Sequence, residues 1–215
     1  MLAALGAAAS LEDSRPIFAF AAFSFLLLIV IGHRHWTPQR DFGWANCVTA
    51  LRLGIILVMA LTLQTTSNDV WGFLALFVFV LDGLDGWLAR MTRSVSSFGA
   101  HFDMETDALL VAVLVEASWQ RTLLGTWVLV PGALRYIYIL FSAAVTSGAP
   151  EMPRSLFGRV AFSAVVLGLA LVFLLPQSWG RSAAWVGACL LGVSFTRSFV
   201  WAWAHRVTIK SRQLT

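Results

Sequence analysis

Four aspartates stand in two closely spaced pairs within the stretch DGLDGWLARMTRSVSSFGAHFDMETD. Asp82 and Asp85 are three residues apart and Asp103 and Asp107 are four apart, so on helices each pair shares one face. Clustered carboxylates repel one another unless a positive charge lies among them, and their hard oxygens suit Mg²⁺, Mn²⁺ or Ca²⁺. The spacing therefore predicts a divalent-metal site between two helices.

Small residues accompany the aspartates and predict room for a ligand. Gly86 and Ala89 continue the side of the helix that carries the first pair, and residues 91–100, with Gly99, suffice for a short turn between two helices. Two other readings stay open, namely helix ends in water and an ion pathway through the membrane. A pathway requires further charges deeper in the apolar segments. The residues that fit this requirement are Glu116, Arg135, Arg52 and Arg197.

The composition predicts an integral membrane protein. Of the 215 residues 59% are hydrophobic and 12% are charged, whereas a soluble domain has about 25% charged residues. Seven apolar segments are long enough to cross a bilayer as helices. They are residues 17–32, 46–66, 70–90, 104–120, 125–146, 157–175 and 182–204. Because Glu12 and Asp13 precede the first segment, where a signal peptide has a basic region, we expect a membrane helix there.

The loop charges predict the orientation of these helices. One side carries nine arginines and lysines, and the other carries Arg15, Arg121 and Arg181. The positive-inside rule places the basic side, with the aspartates at its mouth, in the cytoplasm. The basic residues of these cytoplasmic loops account for the net charge of +4, so no nucleic-acid partner is expected.

The aspartate pattern resembles the signature of the CDP-alcohol phosphatidyltransferase family. That signature reads D-x-x-D-G-x-x-A-R, eight residues, then G-x-x-x-D-x-x-x-D, and this chain has every fixed position. They are Asp82, Asp85, Gly86, Ala89, Arg90, Gly99, Asp103 and Asp107. The stretch ANCVTALRL is similar to the P-N-x-x-T-x-x-R segment of the family through Asn46, Thr49 and Arg52, with Ala45 in place of the proline.

This resemblance implies an all-α membrane fold with a six-helix core and one extra helix before it. The predicted parts are residues 1–43 with the extra N-terminal transmembrane helix, 44–205 as the transferase domain and 206–215 as a basic cytoplasmic tail. A homodimer is also implied. The arginine-rich composition favours a bacterial source, and therefore the inner membrane.

The resemblance further implies an enzyme that transfers a phosphatidyl group from CDP-diacylglycerol to an alcohol and releases CMP, with Mg²⁺ or Mn²⁺ as cofactor. It implies that the four aspartates bind metal and that Asp107 also acts as the general base. The implied nucleotide-binding residues are Asn46, Thr49, Gly86, Ala89, Arg90 and Gly99.

The acceptor alcohol is predicted from the basic residues. A phosphorylated acceptor requires arginine or lysine near the aspartates, and the candidates are Arg135, Arg154 and Arg159. These favour glycerol 3-phosphate first and inositol phosphate second. The alternatives are a CDP-choline- or CDP-ethanolamine-type phosphotransferase acting on a lipid alcohol, and a membrane transporter with an acidic site, although a transporter would favour internal repeats and the aspartate pattern occurs once.

Overall fold

The computed structural model describes residues 15–37, 41–92, 94–145 and 156–212, and these residues form α-helices without any strand. The helices are α1 (Arg15–Ile31), α2 (Trp44–Leu61), α3 (Asn68–Met91), α4 (Ser97–Gln120), α5 (Leu129–Val145), α6 (Leu156–Leu174) and α7 (Gln177–Arg212). Each predicted apolar segment falls on one of them. The predicted all-α membrane fold is confirmed, with α1 preceding the helices of the core.

Five stretches of the described chain are long and apolar enough to cross a membrane. They are Pro16–His35, Trp44–Leu61, Asn68–Met91, Leu156–Leu174 and Gln177–Trp203. The other two predicted spans correspond to α4, which carries four acidic residues, and to α5, which has 17 residues. Because α4 is buried on all sides from residue 108 to residue 118, its second half does not need a lipid-facing surface. The count of seven spans stays a prediction.

The chain divides into two compact units, and the first comprises residues 1–117. In this unit α2 packs along α3, with Ile56, Met59, Trp71 and Val78 completely buried. A turn separates the aspartate pairs as predicted, but it is shorter: α3 ends at Met91 and α4 begins at Ser97, so Gly99 lies in the first turn of α4. This hairpin brings the two aspartate-bearing faces together.

Aromatic side chains from α1 and from the segment before α2 pack on the start of α4, where the ring of Phe42 lies 6.3 Å from that of Phe102. The ring of Phe25 on α1 meets Phe102 on α4 edge-on with a centroid separation of 6.1 Å, and Phe98 stacks on Phe102 at 5.7 Å. Gly43 precedes α2 at φ 73°, a left-handed conformation that favours glycine. These contacts place α1 and the beginning of α2 next to the first turns of α4.

The second unit comprises residues 118–215 and contains the hairpin of α6 and α7. Glycines allow the two helix backbones to approach closely, because a Cβ at Gly187 would lie 2.6 Å from the Ala164 carbonyl oxygen. Helix α5 packs against α7 through Tyr138, whose ring meets Phe195 and Phe199 edge-on. Helix α7 continues to Arg212, so the predicted tail from residue 206 extends this helix as far as the structure describes it.

Candidate metal and active site

Three of the four aspartates converge in the first unit. Asp82 on α3 and Asp103 and Asp107 on α4 each offer a carboxylate oxygen, and these oxygens lie within 4.8 Å of one another. The side chains are 32%, 39% and 20% exposed, respectively, so the cluster is partly accessible to a ligand. Three hard oxygen donors at this separation fit the donor set of Mg²⁺ or Mn²⁺.

The cluster lies well inside its helices. Asp82 is nine residues before the end of α3, and Asp107 is ten residues after the start of α4. At 1.5 Å per residue these positions are about 14–15 Å from the helix ends. Carboxylates this close together and partly shielded from water repel one another unless a cation lies near them.

Arg52 on α2 supplies that cation. Its Nη1 donates to Asp103 Oδ1 at 2.7 Å, and its Nη2 lies 2.9 Å from Asp82 Oδ1 and 2.5 Å from Asp107 Oδ1. The Arg52 side chain is fully buried. One guanidinium therefore joins α2, α3 and α4 at the centre of the site.

The remaining residues of the aspartate signature lie on α3. The structure describes Asp85 only through its backbone, so its predicted metal contact lies outside what is described. Gly86 and Ala89 are half-buried, and Arg90 is exposed near the end of the helix. A Cβ at Gly86 would lie 3.5 Å from the Arg90 guanidinium, the nearest described side chain. The predicted nucleotide contacts of these three residues stay predictions.

Asn46 and Gly99 contact each other where α2 and α4 begin. The Asn46 side-chain amide donates to the carbonyl oxygens of Phe42, at 2.7 Å, and Trp36, at 3.3 Å. A Cβ at Gly99 would lie 2.9 Å from Asn46 Oδ1, so a larger residue there would displace the Asn46 side chain. Thr49 is buried one turn further along α2, and its hydroxyl donates to the Ala45 carbonyl at 3.2 Å. Nucleotide binding by Asn46, Thr49 and Gly99 stays a prediction.

The carbonyl of Trp36 joins the starts of α2 and α4. It accepts from the Asn46 amide and also from the Ser96 hydroxyl, at 2.6 Å. The Ser96 oxygen in turn accepts the Gly99 backbone N–H at 2.9 Å, which caps α4. These bonds hold the helix that carries two of the three aspartates.

The predicted acceptor-binding arginines belong to the second unit. Arg159 is exposed in the first turn of α6. Arg135 lies on α5, and its side chain is outside the described structure, as is the whole of Arg154. Their role therefore stays a prediction.

Sequence reasoning did not include Arg52 and Ser96 among the site residues. Asn46, Thr49 and Arg52 recur every three residues on α2, and a buried arginine in an apolar helix requires a nearby anion, so this signal was present for Arg52. For Ser96, the spacing to Gly99 is that of an N-cap serine to the third helical residue. Neither signal names the distant partner.

The chain belongs to the CDP-alcohol phosphatidyltransferase family, whose family model matches residues 42–204. The match covers the core helices and the aspartate site, and α1 lies before it. The resemblance predicted from the two motifs is thereby confirmed.

Curated relatives match shorter stretches. A probable CDP-diacylglycerol–inositol 3-phosphatidyltransferase 2 of Arabidopsis thaliana is 34% identical over 70 residues, which is 33% of this chain and 31% of the relative. A CDP-diacylglycerol–glycerol-3-phosphate 3-phosphatidyltransferase of Cereibacter sphaeroides is 32% identical over 111 residues, which is 49% of this chain and 48% of the relative. The matched stretches thus span about a third to a half of these relatives.

Proposed function

We propose that this protein transfers the phosphatidyl group of CDP-diacylglycerol to an alcohol and releases CMP. The observation that carries the proposal is the convergence of Asp82, Asp103 and Asp107 in a chain that belongs to this family. The names of the relatives support CDP-diacylglycerol as the donor.

The reaction requires charge neutralisation and a base. The acceptor hydroxyl oxygen forms a bond to the phosphorus of the phosphatidyl group, the anhydride bond to CMP breaks, and CMP leaves with the electron pair. A divalent metal bound by Asp82, Asp85, Asp103 and Asp107 would neutralise the diphosphate and stabilise the leaving group. Asp107 takes the proton of the hydroxyl, because a carboxylate within hydrogen-bond reach makes an alcohol a better nucleophile.

The acceptor that we propose is glycerol 3-phosphate. The bacterial relative that uses this acceptor by name matches over 111 residues, whereas the Arabidopsis relatives named for inositol match over 70. Inositol phosphate is the second candidate, and Arg135, Arg154 and Arg159 are the proposed contacts of the acceptor phosphate. We further propose a homodimer in a bacterial inner membrane, with the site facing the cytoplasm.

CMP release by the purified protein in detergent tests the proposal. The assay combines CDP-diacylglycerol and Mg²⁺ or Mn²⁺ with glycerol 3-phosphate, inositol, inositol phosphate or serine, and a parallel arm combines CDP-choline with diacylglycerol. We expect CMP with CDP-diacylglycerol and glycerol 3-phosphate, its loss in EDTA, and its return with added metal. CMP from the CDP-choline arm alone, or full activity in EDTA, would contradict the proposal.

A further inference from the structure

We propose that Arg52 is a resident counter-cation that competes with the divalent metal for the carboxylates and thereby sets the metal affinity of the site. This inference rests on the metal site of the proposed function and adds a residue that regulates it. Arg52 and the metal compete for the carboxylates of Asp82, Asp103 and Asp107.

The contacts of Arg52 leave little room for a second cation at the same oxygens. The guanidinium binds the Oδ1 atoms of all three aspartates at 2.5–2.9 Å, and each of these residues also offers an oxygen to the candidate metal site. A metal that uses the bound oxygens must break at least one ion pair. A metal that uses the other oxygens is held only a few ångströms from the guanidinium.

Charge decides the direction of the effect. An arginine cannot lose its proton in a protein, so Arg52 keeps its positive charge when the metal arrives. Its full burial limits screening by water and salt, which strengthens the repulsion between the two cations. Arg52 therefore stabilises the carboxylates without metal and weakens the binding of metal.

A purely structural role would give a different result. If Arg52 only joins α2, α3 and α4, its loss would lower stability equally with and without metal, and metal affinity would stay the same or fall as the aspartates separate. The counter-cation role predicts lower stability in EDTA, tighter metal binding and a larger stabilisation by Mg²⁺.

Three variants separate these roles in the full-length protein in detergent. Arg52→Gln removes the charge, Arg52→Lys retains it, and Arg181→Gln removes an exposed arginine that contacts the Leu123 carbonyl in the second unit. The measurements are the Mg²⁺ affinity by calorimetry and the unfolding temperature in EDTA and in Mg²⁺.

We expect Arg52→Gln to bind Mg²⁺ at least about tenfold more tightly, because two cations a few ångströms apart repel strongly. We expect Arg52→Lys and Arg181→Gln to bind it as the wild type does. Unchanged or weaker Mg²⁺ binding by Arg52→Gln would overturn the proposal.

A measurement on the wild type decides the matter if Arg52→Gln does not fold. The ¹⁵N-arginine spectrum, with the Arg52 signals assigned through Arg52→Lys, should show those signals shift during a Mg²⁺ titration while the signals of Arg181 stay in place. Arg52 signals that do not respond to saturating Mg²⁺ would overturn the proposal. None of these three measurements requires turnover, so a chain that binds Mg²⁺ but releases no CMP would contradict the proposed function and leave this inference standing.

Discussion

The aspartate site of the first unit and the α6–α7 hairpin of the second join their helices in opposite ways. In the site, the charged Arg52 side chain links α2 to the carboxylates of α3 and α4. In the hairpin, Gly168, Gly180 and Gly187 bring backbone against backbone, and a Cβ at each would lie 2.6–2.9 Å from the other helix.

The difference follows from the bilayer as a solvent. Lipid tails are as apolar as leucine, so helices associate there through close packing of small residues or through polar contacts. Close packing of small residues needs no charged or reactive side chain. Buried charges, by contrast, are expensive and are retained where a function requires them. The hairpin is thus a structural element, and the charged junction is where chemistry is expected.

The largest effect is expected from Asp107→Asn. Loss of the proposed base should lower CMP release by about 10³-fold, since general bases contribute about 10²–10⁴-fold. The unfolding temperature should change little, because the amide can still accept from Arg52. Asp69→Asn, in the first turn of α3, is the control and should retain full activity. Wild-type turnover by Asp107→Asn would remove this residue as the base.

Asp82→Asn should weaken metal binding while the proposed base, Asp107, remains in place. With one ligand weakened, the Mg²⁺ concentration for half-maximal CMP release should rise by about tenfold or more, and saturating Mg²⁺ should restore part of the rate. A metal titration of activity measures this. An unchanged Mg²⁺ requirement would exclude Asp82 from the metal site.

Gly187→Ala should lower the stability of the protein, whereas the aspartate variants lower its activity. The added Cβ meets the Ala164 carbonyl oxygen at 2.6 Å and Val165 Cα at 2.9 Å, and such overpacking costs about 1–3 kcal/mol. Gly192→Ala on the same helix is the control, since no described residue outside its own helix turn lies within 4 Å of the added Cβ. Chemical unfolding in detergent compares the two. Equal stability of both variants would show that the α6–α7 contact is looser than described.

The sequence predicted the helices of the site better than the side-chain contacts that join them. Apolar length placed the helices, and the spacing of the aspartates placed Asp82, Asp103 and Asp107 on facing surfaces. The pairing of Arg52 could not be predicted, because Asp82 and Asp107 lie 30 and 55 residues away along the chain and only tertiary packing brings them together.

Helix ends were predicted least well for the same physical reason. The apolar run predicted a membrane span from residue 104, whereas the helix that contains it, α4, begins at Ser97. The additional residues, 97–103, mix polar and small residues with the buried Phe98 and Phe102. The start of the helix is stabilised by the Ser96 cap and by the bond from Ser96 to the Trp36 carbonyl, 60 residues earlier in the chain. Hydrophobic length marks only the part of a helix that avoids water, and capping bonds decide where the helix begins.

Ser96→Ala should give the smallest effect and test whether the segment after α1 supports the charged junction. The variant loses the cap to Gly99 and the bond to the Trp36 carbonyl, which should cost about 1 kcal/mol of unfolding free energy. The neighbouring Ser97→Ala is the control, since that side chain is exposed and should change stability by less than about 0.5 kcal/mol. Because α4 carries Asp103 and Asp107, a loosened start of α4 should also raise the Mg²⁺ requirement in Ser96→Ala and leave it unchanged in Ser97→Ala. If Ser96→Ala loses stability but keeps the wild-type Mg²⁺ requirement, the contact between the segment after α1 and α4 is structural only and does not support the metal site.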